Sequence, residues 1–545
     1  MKSRRRKLSL LYILLWMGYV FGFVILLSAG CSKTLSGVDA PESIADGGGS
    51  GSTVEHVLSE SSQPESSLPD SSLPESSQPE LSPPEPQKPE QKPPVLKVHI
   101  LDPAGKPLEG AVVHFKFTTG LKETKSDASG IAQTNGFPPY DIHIFHKAHS
   151  YLTLLKTEKK ELYLQLSPLY NKGAMGIVTG KFHFDALKAL FNLDDAEWSK
   201  RTVSFGWSGI AQRSNFLESD SRSPQNEFEK LKMLGTDVEL PSQLYVDSPF
   251  GKKLSYRALS PTGKRLLWGF GAKLKADELL SLVPADTKNL DFLEIVSNFN
   301  KKFSKQMAFG YKEVDLQAGQ SKNETIQLNT KLDQSLEITL EKVPSLMQQG
   351  KPVKVYALII LGALLADGSI QPLGMSIEPV QSGSRINLHY VSPTGPLKTG
   401  RYILSTLLQN TQIADKPGPS FWAGRVSYAS SLPSKATVKS FIPFSTQAKF
   451  DKSSGTLTGA TGPQDTFQQL ELSSKDNKRW VIYFTKQDKL TLPTLPAGFQ
   501  AQWSSVSLRH IQLKTGQTMH GVFSTKDFSI DKIAGYITHF TYTTL

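Results

Sequence analysis

Val95-Leu96-Lys97-Val98-His99-Ile100 breaks at Asp102-Pro103-Ala104-Gly105-Lys106-Pro107 and resumes as Ala111-Val112-Val113-His114-Phe115-Lys116-Phe117. On both sides of a Pro/Gly turn, apolar and polar residues alternate with a period of two, which predicts paired, half-buried strands. Asp127-Ala128-Ser129-Gly130 supplies another turn, and Tyr140-Asp141-Ile142-His143-Ile144 a further strand. Short strands at this spacing predict a small β-sandwich over residues 95–167.

Downstream the texture stays β-rich. Strand candidates lie at 176–182, 201–207, 324–328, 336–340, 353–361 and 480–485, while 290–299 carries apolar residues at helical spacing. Ser260-Pro261-Thr262-Gly263 and Ser392-Pro393-Thr394-Gly395 repeat one turn design, with Pro second and Gly fourth, and predict two hairpins of the same type. Two β-rich units follow, 168–350 and 351–545, with a boundary near Gln349-Gly350-Lys351-Pro352. The expected fold class is mainly β: several β-sandwich domains in tandem with few short helices, preceded by a signal peptide and a disordered stalk.

Upstream, residues 32–94 cannot bury a core. Gly47-Gly48-Gly49-Ser50-Gly51-Ser52 is a flexible joint, and Ser-Ser-x-Pro-acid then repeats four times across 61–80. Prolines favour polyproline II and the acids repel, so these 63 residues stay extended. As a coil they span roughly 45 Å, and fully extended about 190 Å.

The first 31 residues explain the chain's single cysteine. Lys2, Arg4, Arg5, Arg6 and Lys7 precede an apolar run over 8–27, the pattern of an export signal. The run ends in Leu27-Ser28-Ala29-Gly30-Cys31, which resembles the lipobox of bacterial lipoproteins, with Ser28 where the family prefers an aliphatic residue. The resemblance implies cleavage between Gly30 and Cys31, diacylation of the Cys31 thiol, and a membrane anchor through that lipid. An uncleaved signal anchor is the alternative, since twenty apolar residues reach across a bilayer. Either way the positive cluster stays inside and the bulk lies outside the cytoplasm. Ser32 and Lys33, in place of an Asp retention signal, favour the outer membrane where that sorting rule operates.

Asp102 to Pro107, Gly110-Ala111-Val112-Val113, Thr124 to Ile131 with Gly130, and Tyr140 together resemble the carboxypeptidase regulatory-like domain, a transthyretin-like β-sandwich. The likeness covers 95–167 and departs at His149-Ser150-Tyr151, where the family has Gly-Tyr. It implies an accessory or adhesive module without catalytic residues of its own.

Charge separates the parts. The stalk carries −8 and residues 95–545 carry +14, within a chain total of +11. A basic folded region outside the cytoplasm suits anionic envelope polymers or glycans, and nucleic acid is not expected as a partner. Oligomeric state is not legible.

Motifs for catalysis are missing: there is no His-Glu-x-x-His, no Gly-x-Ser-x-Gly and no phosphate loop. Lys398-Thr399-Gly400 and Lys514-Thr515-Gly516 precede the one Ser-x-x-Lys, at Ser529, instead of following it, and so read as turns. No catalytic residue, metal or cofactor is therefore assigned. His143, His146 and His149, with His99 and His114, are the most tempting constellation for zinc or copper, and would converge only if the chain bends between His143 and His146; the competing reading is exposed or loop histidines. Trp198, Trp207, Trp268, Trp422, Trp480 and Trp503 are either core residues or platforms for sugar rings. The expected role is structural, adhesive or ligand-binding at the envelope. The alternatives are an envelope hydrolase of unrecognised type acting on glycan or peptide, and an accessory subunit of an envelope complex.

Overall fold

The computed structural model describes residues 92–545 apart from 103–104, 170–174, 192–201, 212–230, 233–238, 241–243, 248–252, 283–291, 349, 367, 411–420, 475, 477, 486 and 527–535. Gly30, Cys31, the apolar run, most of the stalk, Trp198 and Ser529 lie outside the described residues. The described fold is mainly β, as the alternation predicts.

Seven strands occupy the first unit: β1 (Val95–Leu101), β2 (Val112–Phe117), β3 (Gly120–Lys125), β4 (Ile131–Asn135), β5 (Tyr140–Phe145), β6 (Tyr151–Thr157) and β7 (Glu161–Gln165). They form two layers. β1 lies between β4 (antiparallel) and β7 (parallel), and β6, β5, β2 and β3 run in that order in the facing layer. The turn before β4 closes as the sequence requires. Asp127 Oδ1 accepts from the backbone N–H groups of Ser129 and Ile131, and Gly130 takes φ +72°, a conformation that an L side chain resists.

The second layer does not stop at β6. In parallel register, Tyr151 opposes Trp480 and Thr153 opposes Ile482, so β6 joins the strand Arg479–Phe484. The sheet continues through Thr466–Ser474, Trp503–Leu513, Ile537–Thr544, Phe421–Ala429, Tyr402–Asn410 and Val355–Leu364 to Ile370–Pro379, making twelve strands. Four strands of the first unit and eight strands of the C-terminal half thus share one hydrogen-bonded sheet.

Alternation along β2, β5 and β6 serves two cores. Val113, Phe115, Ile142, Ile144 and Leu154 point toward Leu96, Val98, Ile100, Leu162 and Leu164 of the β1 layer. Phe145, Tyr151 and Leu155 point the other way, into a second core with Leu457, Leu470, Trp480, Ile482 and Phe499. Trp480 is 1% exposed, and truncating such a side chain to Ala costs about 3–5 kcal/mol.

Between these segments a second sandwich packs the six-stranded sheet containing Thr202–Ile210, Gly263–Lys275 and Ala308–Leu316 on a three-stranded sheet of Tyr256–Pro261, Met175–His183 and Ser321–Gln327. The helix Phe292–Phe303 buries Leu293, Ile295, Val296, Phe299 and Phe303, the apolar stripe legible in the sequence, and its Lys301 reaches Glu378 at 2.9 Å.

The paired Ser-Pro-Thr-Gly hairpins are not found. At Thr262 the chain passes from one sheet of this sandwich to the other, because Tyr256–Pro261 pairs with Met175–His183 while Gly263–Lys275 pairs with Thr202–Ile210 and Ala308–Leu316. Gly395 instead opens the short 3-10 turn Gly395–Leu397 between strands Ser384–Tyr390 and Tyr402–Asn410. Good turn residues specify a change of direction but not the pairing of the flanking strands.

Candidate functional site

The outer face of β2, β5 and β6 would carry the polar half of each alternation into solvent if the first unit stood alone. Here the C-terminal half covers it. His143 is 3% exposed and His114 7%, contrary to the exposed or loop placement expected for histidines in such a pattern.

A row of polar groups runs across the strands from exposed Glu123 into this buried region. Glu123 of β3, His114 of β2, His143 of β5 and Thr153 of β6 are register partners in turn. The His114 Nε2 lies 2.9 Å from Glu123 Oε2, and the His143 Nδ1 lies 3.0 Å from Thr153 Oγ1. The Trp480 indole N–H donates to the same Thr153 oxygen at 3.0 Å.

That last bond favours one tautomer of His143. An indole N–H is only a donor, so the Thr153 oxygen accepts from Trp480 and has its own proton left to give. Donating it to His143 Nδ1 satisfies both groups and puts the imidazole proton on Nε2. The reverse arrangement would orphan the hydroxyl proton as well. His143 Nε2 is buried and has no hydrogen-bond partner, so the ring presents an unused N–H. Burial, with smaller contributions from His114 and Lys116, depresses the His143 pKa to about 3 and keeps the ring neutral.

Two cavities open along this seam. One, of about 190 Å³, is walled by Lys116, Asp141, His143 and Lys156 from the first unit and by Gln487, Lys489 and Thr491 from the C-terminal half. Its rim holds an irregular backbone. The β5–β6 register shifts between Tyr140 and Ile142, Lys156 takes φ +52°, and Asp141 Oδ1 accepts the Lys156 backbone N–H at 2.8 Å. A lysine in the left-handed region costs energy, and here Asp141 holds it there. The other cavity, of about 530 Å³, lies between Glu123, Lys125 and His146 on one side and Pro496 and Phe499 on the other.

The five histidines do not converge. His146 and His149 meet with their Nδ1 atoms 2.8 Å apart, which requires one donor and one acceptor. Burial lowers both pKa values, with the neighbouring imidazole adding to the shift at His149. His143 turns inward to Thr153, and His99 pairs with Glu161 at 2.8 Å while stacking on Tyr163. Among the described residues no group of three or more His, Cys, Asp or Glu side chains is placed to hold a metal ion.

Trp207, Trp268, Trp422 and Trp480 are core residues, each 3% exposed or less, and Trp503 is partly buried against the second core. Gly400 (φ +64°) and Gly516 (φ +82°) are in left-handed turn conformations. A second buried polar cluster, which sequence motifs do not flag, sits further along the large sheet. Glu471 Oε1 accepts from Arg479 Nε at 2.8 Å, and Glu471 Oε2 lies 3.7 Å from Arg509, which stacks over the Tyr542 ring. Cross-strand spacing is its only trace in the sequence: Gln469 pairs with Arg509, and Ser473 with Arg479.

No family model matches this chain, and no curated protein matches it in sequence. Among solved structures, the Bacillus anthracis TIE protein is similar at 11% identity over 64% of this chain and 51% of that one, with a TM-score of 0.15. The chain thus spans about half of that protein's length. BcpA, the major pilin subunit of Bacillus cereus, is similar at 11% identity over 65% of this chain and 99% of that one (TM-score 0.14). The pilus adhesin SpaC from Lactobacillus rhamnosus GG is similar at 10% identity over 74% and 43%, respectively (TM-score 0.15). TM-scores at this level carry no argument about what the chain does.

Proposed function

We propose that the protein is a lipid-anchored lipoprotein of the cell envelope whose folded part has a structural, adhesive or ligand-binding role, held away from the membrane by its acidic stalk. The observation that carries this reading is the shared ladder between β6 and Arg479–Phe484. The unit nearest the stalk is not a loose bead on a string. It is hydrogen-bonded into the same sheet as the C-terminal half, so a pull between an anchor and a surface contact acts on a continuous backbone lattice. Support for the anchor comes from the sequence alone: the basic start, the apolar run and Leu27-Ser28-Ala29-Gly30-Cys31. Among the described residues no helix is long and apolar enough to cross a membrane.

The test is metabolic labelling with a palmitate analogue, together with mass spectrometry of the mature N-terminus. Labelled protein beginning at Cys31, with label lost in Cys31→Ser, is expected. An unmodified N-terminus at Met1 refutes lipidation and leaves the uncleaved anchor.

A further inference from the structure

The 190 Å³ cavity beside His143 has the makings of a binding site that neither the fold nor the sequence motifs assign. Lys116 comes from β2, Lys156 from the left-handed kink of β6, and Lys489 from the C-terminal half. None of these three ammonium groups has an ion-pair partner among the described residues. Asp141 is the one carboxylate on the wall, and one of its oxygens already accepts the Lys156 N–H. The local charge is therefore +2. Unpaired like charges held at one cavity mouth repel one another, and an anion between them removes that cost.

We propose that this cavity binds a phosphate group, with Lys116, Lys156 and Lys489 as charge partners. Three features select phosphate. A phosphate monoester carries about −1.5 to −2 near neutral pH, which balances +2, whereas a carboxylate carries one charge. Its terminal oxygens are directed in three dimensions and suit ammonium groups arriving from three separate chain segments. The cavity, at about 190 Å³, has room for a tetrahedral head group. Because the wall draws on both the first unit and the C-terminal half, the bound group would also staple the seam. That the phosphate belongs to an envelope polymer rests on the function proposed above; the site itself does not.

Calorimetric titration of the full chain with inorganic phosphate, and separately with a polysaccharide carrying phosphate monoester groups, tests the proposal. Wild type is expected to bind phosphate at one site. Lys116→Ala/Lys489→Ala, which alters two exposed side chains outside both cores, is expected to bind roughly tenfold or more weakly, the equivalent of one charge-assisted bond. Lys97→Ala/Lys342→Ala removes the same charge away from the cavity and is expected to bind as wild type does. Unchanged tryptophan fluorescence in both variants shows that the fold persists. Tighter binding of the polymer than of the free ion identifies the polymer as source, and equal or weaker binding identifies the small ion; both support the site. No binding by wild type, or equal losses in the two double variants, overturns it. Neither of those results bears on the anchor, which palmitate labelling decides.

Discussion

Acidification should unfold this protein partly through one imidazole. In an unfolded chain His143 titrates near 6.5, whereas in the fold burial holds it near 3. Between those values the unfolded state binds a proton that the folded state refuses, so stability falls as pH falls, beginning near 6.5 and ending near 3. Above 6.5 the ring is neutral in both states and contributes no pH dependence. At 1.36 kcal/mol per pKa unit, the loss from this residue between pH ~7 and pH ~4 is about 3 kcal/mol. His510, His520 and His539 are also depressed chiefly by burial and act in the same direction, so total acid sensitivity is larger. The diagnostic quantity is the difference in slope between wild type and His143→Gln, in which those other groups cancel. Urea unfolding followed by tryptophan fluorescence, repeated from pH ~7 to pH ~4, reads it. The variant starts from a lower stability but should lose about 3 kcal/mol less across that range. Parallel curves would refute the reasoning, because they would mean that the folded state protonates His143 as readily as the unfolded one.

Thr153→Val is nearly isosteric, yet it leaves both the Trp480 indole N–H and His143 Nδ1 without their bond, and it should cost about 2–4 kcal/mol. Trp480→Phe removes the indole donor while keeping a buried aromatic ring, and should lose less of the same urea stability than Trp480→Ala, which falls by about 3–5 kcal/mol. A neutral Thr153→Val would contradict the hydrogen-bonded row. Glu471→Gln strips the counter-charge from buried Arg509 and its neighbour Arg479, with an expected cost of about 3–5 kcal/mol in the same assay.

How much of this was legible beforehand depends on what each residue answers to. β1, β2 and β5 were readable because each alternates and is bounded by Gly, Pro or Asp turns. β3, Gly120-Leu121-Lys122-Glu123-Thr124-Lys125, is exposed along almost its whole length, so no buried face marked it. The helix Phe292–Phe303 was visible through its stripe, but the sheet to which Gly263–Lys275 belongs was not, since pairing is decided by partners distant in the chain. The cavity shows the same limit more sharply. His143 follows the sequence rule for a solvent-facing position, and only the covering by residues near 480–499 makes it buried, neutral and without a partner for Nε2. Lys489 and Lys116 are hundreds of positions apart and form no motif.

The parallel join between β6 and Arg479–Phe484 also imposes an order of events. Thr153 and the indole that bonds it are separated by 327 residues. Until Arg479–Phe484 docks, β6 is an open edge, with Phe145, Tyr151 and Leu155 uncovered. A truncation anywhere before Arg479 therefore leaves that edge permanently bare.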